Sequence, residues 1–315
     1  MAFDFDSAVG APFRMQPGLR RLAPGAAQLT PLSQNTRHQR EKLAVLSAFS
    51  GQALLVREGF DPMPALAALC AQAAAEHPED FRWDGQRAEA PRLRTAVAGG
   101  EVESVGEGGF GVGDEMARCL NTLPAAWRLA GLLSLAFAED FAIVDGNDGT
   151  IPWLAVALPS HWAPDEKIGR HFAEVHAPVA DNTLIVGAST ALTRLVTAED
   201  RWERFVWNVT AHPRLHAHPR RCDPDRWAGT PVAQAWWRTE RQTFIPVPGR
   251  QQAVFTIHVE LQPLADAVAG SPERAARLHD AIASMSPAVL AYRGLTTVRD
   301  ALLGWLAGRR SPPIR

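Results

Sequence analysis

Cysteine is scarce in this chain, with Cys70, Cys119 and Cys222 the only three. They lie far apart and form no CxxC pair, which excludes a disulfide framework and a cysteine-type structural zinc site and points to a reducing compartment. A surplus of either charge is missing too. The 32 Lys and Arg against 34 Asp and Glu leave a formal charge of −2, so small or neutral partners fit better than nucleic acid or an anionic membrane. Long apolar runs are also absent. The nearest, residues 125–138, contains Arg128 and falls short of the roughly 18 residues a spanning helix needs. The chain begins Met1-Ala-Phe-Asp-Phe-Asp, with acids where a signal peptide carries bases, so a soluble, cytoplasmic protein is expected. No internal repeat or heptad run is visible, which excludes solenoids and coiled coils.

What is present is ample apolar material. Hydrophobic residues make up 46% of 315, enough for a sizeable core in one large domain or two ordinary ones. Pro12, Pro17, Gly18, Pro24, Gly25 and Pro31 punctuate residues 1–35 and predict an extended arm, with residues 36–315 forming one α+β domain. Apolar spacing predicts helices over 35–56, 63–76, 184–195, 272–285 and 297–306, and one over 114–137 that Pro124 kinks or restarts. Strands are predicted over 139–144 and 153–158, and a hairpin over 238–248 and 253–259 turning at Gly249. Residues 202–209 read as helix or strand. Gly106–Gly111, G-E-G-G-F-G, matches the bare GxGxxG pattern. Only the short strand candidate Val102–Val105 precedes it, and Gly131 stands where a dinucleotide site needs an acid, so the stretch reads as a flexible loop.

The stretch Pro159–Val179 carries three of the ten histidines. Asp165 and Glu166 suit a helix N-terminus and Pro178 a point beyond its end, which predicts a helix of about three turns. Ile168, Phe172 and Val175 recur at i, i+4 and i+7 as an inward stripe flanked by His171 and His176. Two readings stay open: a cation favourable at a helix C-terminus, or a metal or haem ligand. His212, His216 and His218 invite a metal reading as well. Two prolines and the lack of an acidic ligand make an exposed basic loop the preferred account there.

The pattern P-S-x-W-x-P-x-x-K-x-G over Pro159–Gly169, then V-H-x-P-V, E-R-Q-T and F-T-I, resembles the haem-dependent oxidative N-demethylase family. Pro17-Gly18-Leu19-Arg20, Glu139-Asp140-Phe141 and Ala291-Tyr292-Arg293-Gly294 add to the likeness, which spans residues 15 to 295. Here Val206, His258 and Glu260 stand where the family pattern has asparagine, arginine and tyrosine. The resemblance implies a PAS-like antiparallel sheet around residues 139–262, with helices packed about it and a helical N-terminal section. It implies a b-type haem on His176, its iron activating oxygen as in a monooxygenase to take a methyl group from a secondary amine as formaldehyde. Electrons would come from an external NADPH-linked flavin and iron–sulfur donor. Lys167, Arg241 and Gln242 are then expected at the cofactor, its propionates meeting the two cations, with Arg204 nearer the iron and Glu240 among the acids that would hold an ammonium. The alternative is a PAS-like haem or small-ligand sensor without turnover.

Overall fold

A computed structural model describes residues 3–106 and 113–309. Nearly all of the GxGxxG stretch lies outside them. The strands are β1 (Arg20–Arg21), β2 (Leu54–Val56), β3 (Arg82–Trp83), β4 (Arg87–Ala90), β5 (Thr95–Ala98), β6 (Glu101–Ser104), β7 (Asp140–Asp145), β8 (Trp153–Ala155), β9 (Trp202–Thr210), β10 (Trp236–Pro246) and β11 (Gln252–Pro263). Seven form an antiparallel sheet in the order β1-β9-β10-β11-β7-β8-β2, and β3 to β6 form a second sheet. The fold is mixed α+β, as expected.

The large sheet is built on the β10–β11 hairpin, paired from Trp236↔Pro263 to Pro246↔Ala253. Gly249 sits in its turn at φ +69, a conformation that favours glycine. Residues 202–209 are a strand, and β9 pairs with β10. Helix Arg37–Ala53 starts at Thr36, whose side chain accepts from Gln39 N, and helix Met63–Glu76 matches its predicted bounds. Pro124 restarts the next pair, Glu115–Thr122 and Ala125–Ala136.

One core gathers these helices against β7 and β11 through Leu46, Leu66, Leu69, Leu133 and Phe141. Each such side chain contributes about 1.5–3 kcal/mol on burial. A second core joins Trp207 and Trp237 to Leu278, Ile282 and Leu302 of the C-terminal helices. The arm belongs to that core, because Phe5 and Val9 are buried in it and β1 pairs with β9. Where the first core meets the sheet, buried Lys42 donates to the carbonyls of Phe137 at 3.0 Å and Glu139 at 2.6 Å and stands 3.3 Å from Asp140 Oδ1.

Four expectations are corrected. Residues 82–104 form a sheet of very short strands rather than one strand candidate. The helix predicted after Pro164 is broken into a 3-10 turn, Pro164–Glu166, and a short helix, Phe172–His176. Gly169 turns the chain between them at φ +71, and His171 bridges to Thr150 before the helix begins. Residues 184–195 divide into Thr183–Gly187 and Ser189–Val196 at Ala188. The histidine loop is only partly exposed: Leu215, Ala217 and His218 are buried, and His216 Nδ1 donates to Ala157 O at 2.6 Å.

Candidate functional site

A cavity of about 550 Å³ lies on one face of the large sheet. Strand alternation decides what it sees. From β10 it receives Arg238, Glu240, Gln242 and Phe244, from β9 Arg204 and Val206, and from β11 Phe255 and Ile257. The facing wall is Lys167, Phe172, Val175 and His176, while the arm adds Met15, Pro17 and Leu19 and the C-terminal region Tyr292 and Arg293. The stripe Ile168, Phe172 and Val175 thus reaches the inside from two short segments. Ile168 and Val175 pack on Ile151 and Leu154.

His176 ends its helix. Its Nδ1 lies 2.8 Å from Phe172 O, and since a carbonyl only accepts, Nδ1 carries the proton and Nε2 keeps a lone pair. Burial drives its pKa down to about 4, helped by the cations Arg204 and Lys167 against the pull of the Phe172 carbonyl, so the imidazole is neutral. His171 is committed elsewhere. Its Nδ1 accepts from Ala173 N at 3.1 Å and its backbone N–H donates to Glu174 Oε2 at 3.1 Å, closing a capping box at the helix start.

Lys167 donates to Val175 O at 3.1 Å, and burial lowers its pKa. Arg204 Nε is buried without a hydrogen-bond partner. Desolvation lowers the Arg204 pKa, opposed by the Glu240 carboxylate. Gln242 Nε2 donates to Glu240 Oε2 at 2.6 Å. The acids of the Glu139-Asp140-Phe141 motif are spent inside the protein: Glu139 accepts from Thr30 N at 2.9 Å and Asp140 from Leu158 N at 2.6 Å.

The structure does not bring Arg241 to this cavity. It points from the opposite face of β10 and donates to Glu203 Oε2 at 3.0 Å. Arg238 and Arg293 stand at the cavity instead, though their hydrogen bonds go to the protein. Arg238 donates to Ser160 Oγ at 2.7 Å and to the carbonyls of Arg214 and Leu215, each at 2.8 Å, so it holds the Pro159–Ser160 segment in place. Arg293 donates to Trp207 O and lies 4.6 Å over the Phe13 ring. Burial lowers both guanidinium pKa values to about 10. Gly294 ends its helix at φ +69 with the Arg226 side chain against it, where a Cβ would sit 2.7 Å from Arg226 Cδ. The A-Y-R-G motif therefore builds the cavity edge, a role spacing alone does not signal.

A family model described as haem-dependent oxidative N-demethylase, alpha subunit-like, matches residues 67–303. The chain belongs to this family. The match spans most of the cavity wall of this N-demethylase family member, while Met15, Pro17 and Leu19 precede it. Haem dependence is part of the family description, and the donor set fits such a group: a neutral imidazole with Nε2 available, apolar walls from Leu154, Phe255 and Ile257, and the buried, unpartnered Nε of Arg204. The volume lies within the roughly 300–1,000 Å³ of cofactor and ligand pockets. No helix among the described residues is long and apolar enough to cross a membrane.

Proposed function

We propose that this chain holds a b-type haem through His176 and removes a methyl group from a small secondary amine, such as dimethylamine, releasing formaldehyde. The observation that carries the reading is His176 itself, a cavity-lining imidazole whose Nδ1–H is spent on Phe172 O. When bound, the iron would supply oxygen activation. Lys167 and Arg204 would meet the propionates or other anionic groups, and Gln242 orients the Glu240 carboxylate that would take an ammonium N–H. Phe244, Phe255 and Ile257 of the sheet face add apolar wall beside them. Electrons would come from an NADPH-linked flavin and iron–sulfur partner, in keeping with the alpha-subunit description.

The second reading, a haem sensor without turnover, draws on the lining charges. Lys167, Arg204, Arg226, Arg238 and Arg293 outnumber Glu166 and Glu240, a balance that favours anions over a protonated amine. A visible spectrum of the purified protein tests haem binding. His176→Ala should lose the Soret band while its circular dichroism stays that of the folded chain, and an unchanged spectrum would remove His176 as ligand. Haem-loaded protein given NADPH, a competent reductase, oxygen and dimethylamine should yield formaldehyde; a fully loaded protein that yields none supports the sensor.

A further inference from the structure

The opposite face of the same sheet carries a second constellation. His38, near the start of helix Arg37–Ala53, meets His258 and Glu260 of β11, and one ligand atom from each lies within 4.8 Å of the others. His258 and Glu260 are two residues apart on one strand and so share a face. That face is not the cavity's, because Ile257 points there instead.

We infer that His38, His258 and Glu260 form a binding site for a divalent transition-metal ion, separate from the haem cavity. Two imidazoles and a carboxylate are the donors that suit Zn2+ and its neighbours such as Co2+, whereas Mg2+ and Ca2+ prefer oxygen alone.

The groups behind the ligands carry the argument further. His38 Nε2 lies 2.6 Å from Val259 O, to which it must donate, so His38 Nδ1 is left with a lone pair. His258 Nδ1 is hydrogen-bonded to Thr30 Oγ1 at 3.3 Å, stands 3.3 Å from Glu139 Oε1, and leaves Nε2 facing Glu260 Oε1 at 2.9 Å. Glu139 is fully buried and is itself held by Thr30 N at 2.9 Å. One histidine backed by a carbonyl and the other by a hydroxyl with a buried carboxylate beside it matches the outer arrangement that fixes metal-ligating histidines. Burial is graded across the cluster, from 7% side-chain exposure at His258 to 57% at Glu260, so an ion has a path in and room for water ligands.

The test uses the full chain, stripped of metal by chelation and titrated with Zn2+ by calorimetry and with Co2+ by visible absorption. One ion per chain is expected, with Co2+ giving the ligand-field bands of a low-coordinate nitrogen and oxygen site. Glu260→Gln and His38→Gln, both away from the deepest packing, should each weaken Zn2+ binding about tenfold or more. Their haem uptake should match the parent chain, and their circular dichroism without metal should stay that of the folded chain. Absence of Zn2+ binding would reduce the cluster to an ion pair between His258 and its two carboxylates and overturn the inference. Binding that persists unchanged in both variants would place the ion elsewhere and overturn it equally.

Discussion

Gly149→Ala tests whether the turn before the histidine segment positions the candidate haem ligand. Gly149 has φ +69, and a Cβ there would lie 2.5 Å from His171 Nε2 and 2.8 Å from its Cδ2. The same residue accepts from Phe172 N at 2.8 Å, so the turn and the start of the helix are one unit. An L-residue in the left-handed region costs about 1–2 kcal/mol, and displacing His171 from its cap costs about 1 kcal/mol more. If undocking of helix Phe172–His176 relieves the whole of this penalty, the His176-competent state loses about 2–3 kcal/mol, a drop in haem affinity of about 30- to 150-fold. Haem titration followed at the Soret band measures it, with a thermal melt of haem-free protein alongside. His171→Asn is the control, since asparagine caps a helix as well, and it should stay close to the parent chain. A Gly149→Ala protein with parental haem affinity, or a His171→Asn control as damaged as the glycine variant, would refute the coupling.

Lys42→Met strands Asp140 Oδ1 and two carbonyls in the core and should cost about 3–5 kcal/mol in denaturant unfolding. A loss under about 1 kcal/mol would mean that Lys42 is not a structural cation. Burial, with Arg226 and Arg238 nearby, drives the His161 pKa down to about 3, below its unfolded value of about 6.5. The unfolded chain therefore binds the extra proton, so this residue's contribution to stability should be lost as pH drops from about 6.5 towards 3, by at most about 4–5 kcal/mol, and His176, lowered to about 4 by burial, adds a loss of the same sign. Melting temperatures of the haem-free chain across that range should show the slope, and His161→Gln should reduce it.

How much of this is readable in the sequence depends on where the determining forces act. Helix Met63–Glu76 and the β10–β11 hairpin are readable because their apolar spacing is local and their bounds carry Pro and Gly signals. The sheet of β3 to β6 is not, since strands of two to four residues offer no alternation to detect. Ile168, Phe172 and Val175 mimic one continuous helix because two segments reach the same interior; Gly169 is the available sign of a break. His176, Lys167, Arg204, Glu240 and Gln242 converge on one cavity. Arg241 does not, and the alternation of a β-strand separates it from its neighbours at 240 and 242. The meeting of His38 with His258 is a product of tertiary packing, and no spacing rule reaches across so much chain.

The alternation along β10 also sets what this protein can become. Glu240 and Gln242 look into the cavity, while Arg241 and Thr243 are tied to Glu203 and Thr256 on the far side. Point changes at 240, 242 and 204 can therefore retune the ligand without touching the layer behind it, which makes these positions a natural starting library for new substrates. A change of length is another matter. Inserting one residue before Glu240 would exchange the two faces at once, pushing Arg241 into the cavity and burying Glu240 beside Glu203. The strand is open to rewriting letter by letter and closed to any shift of frame.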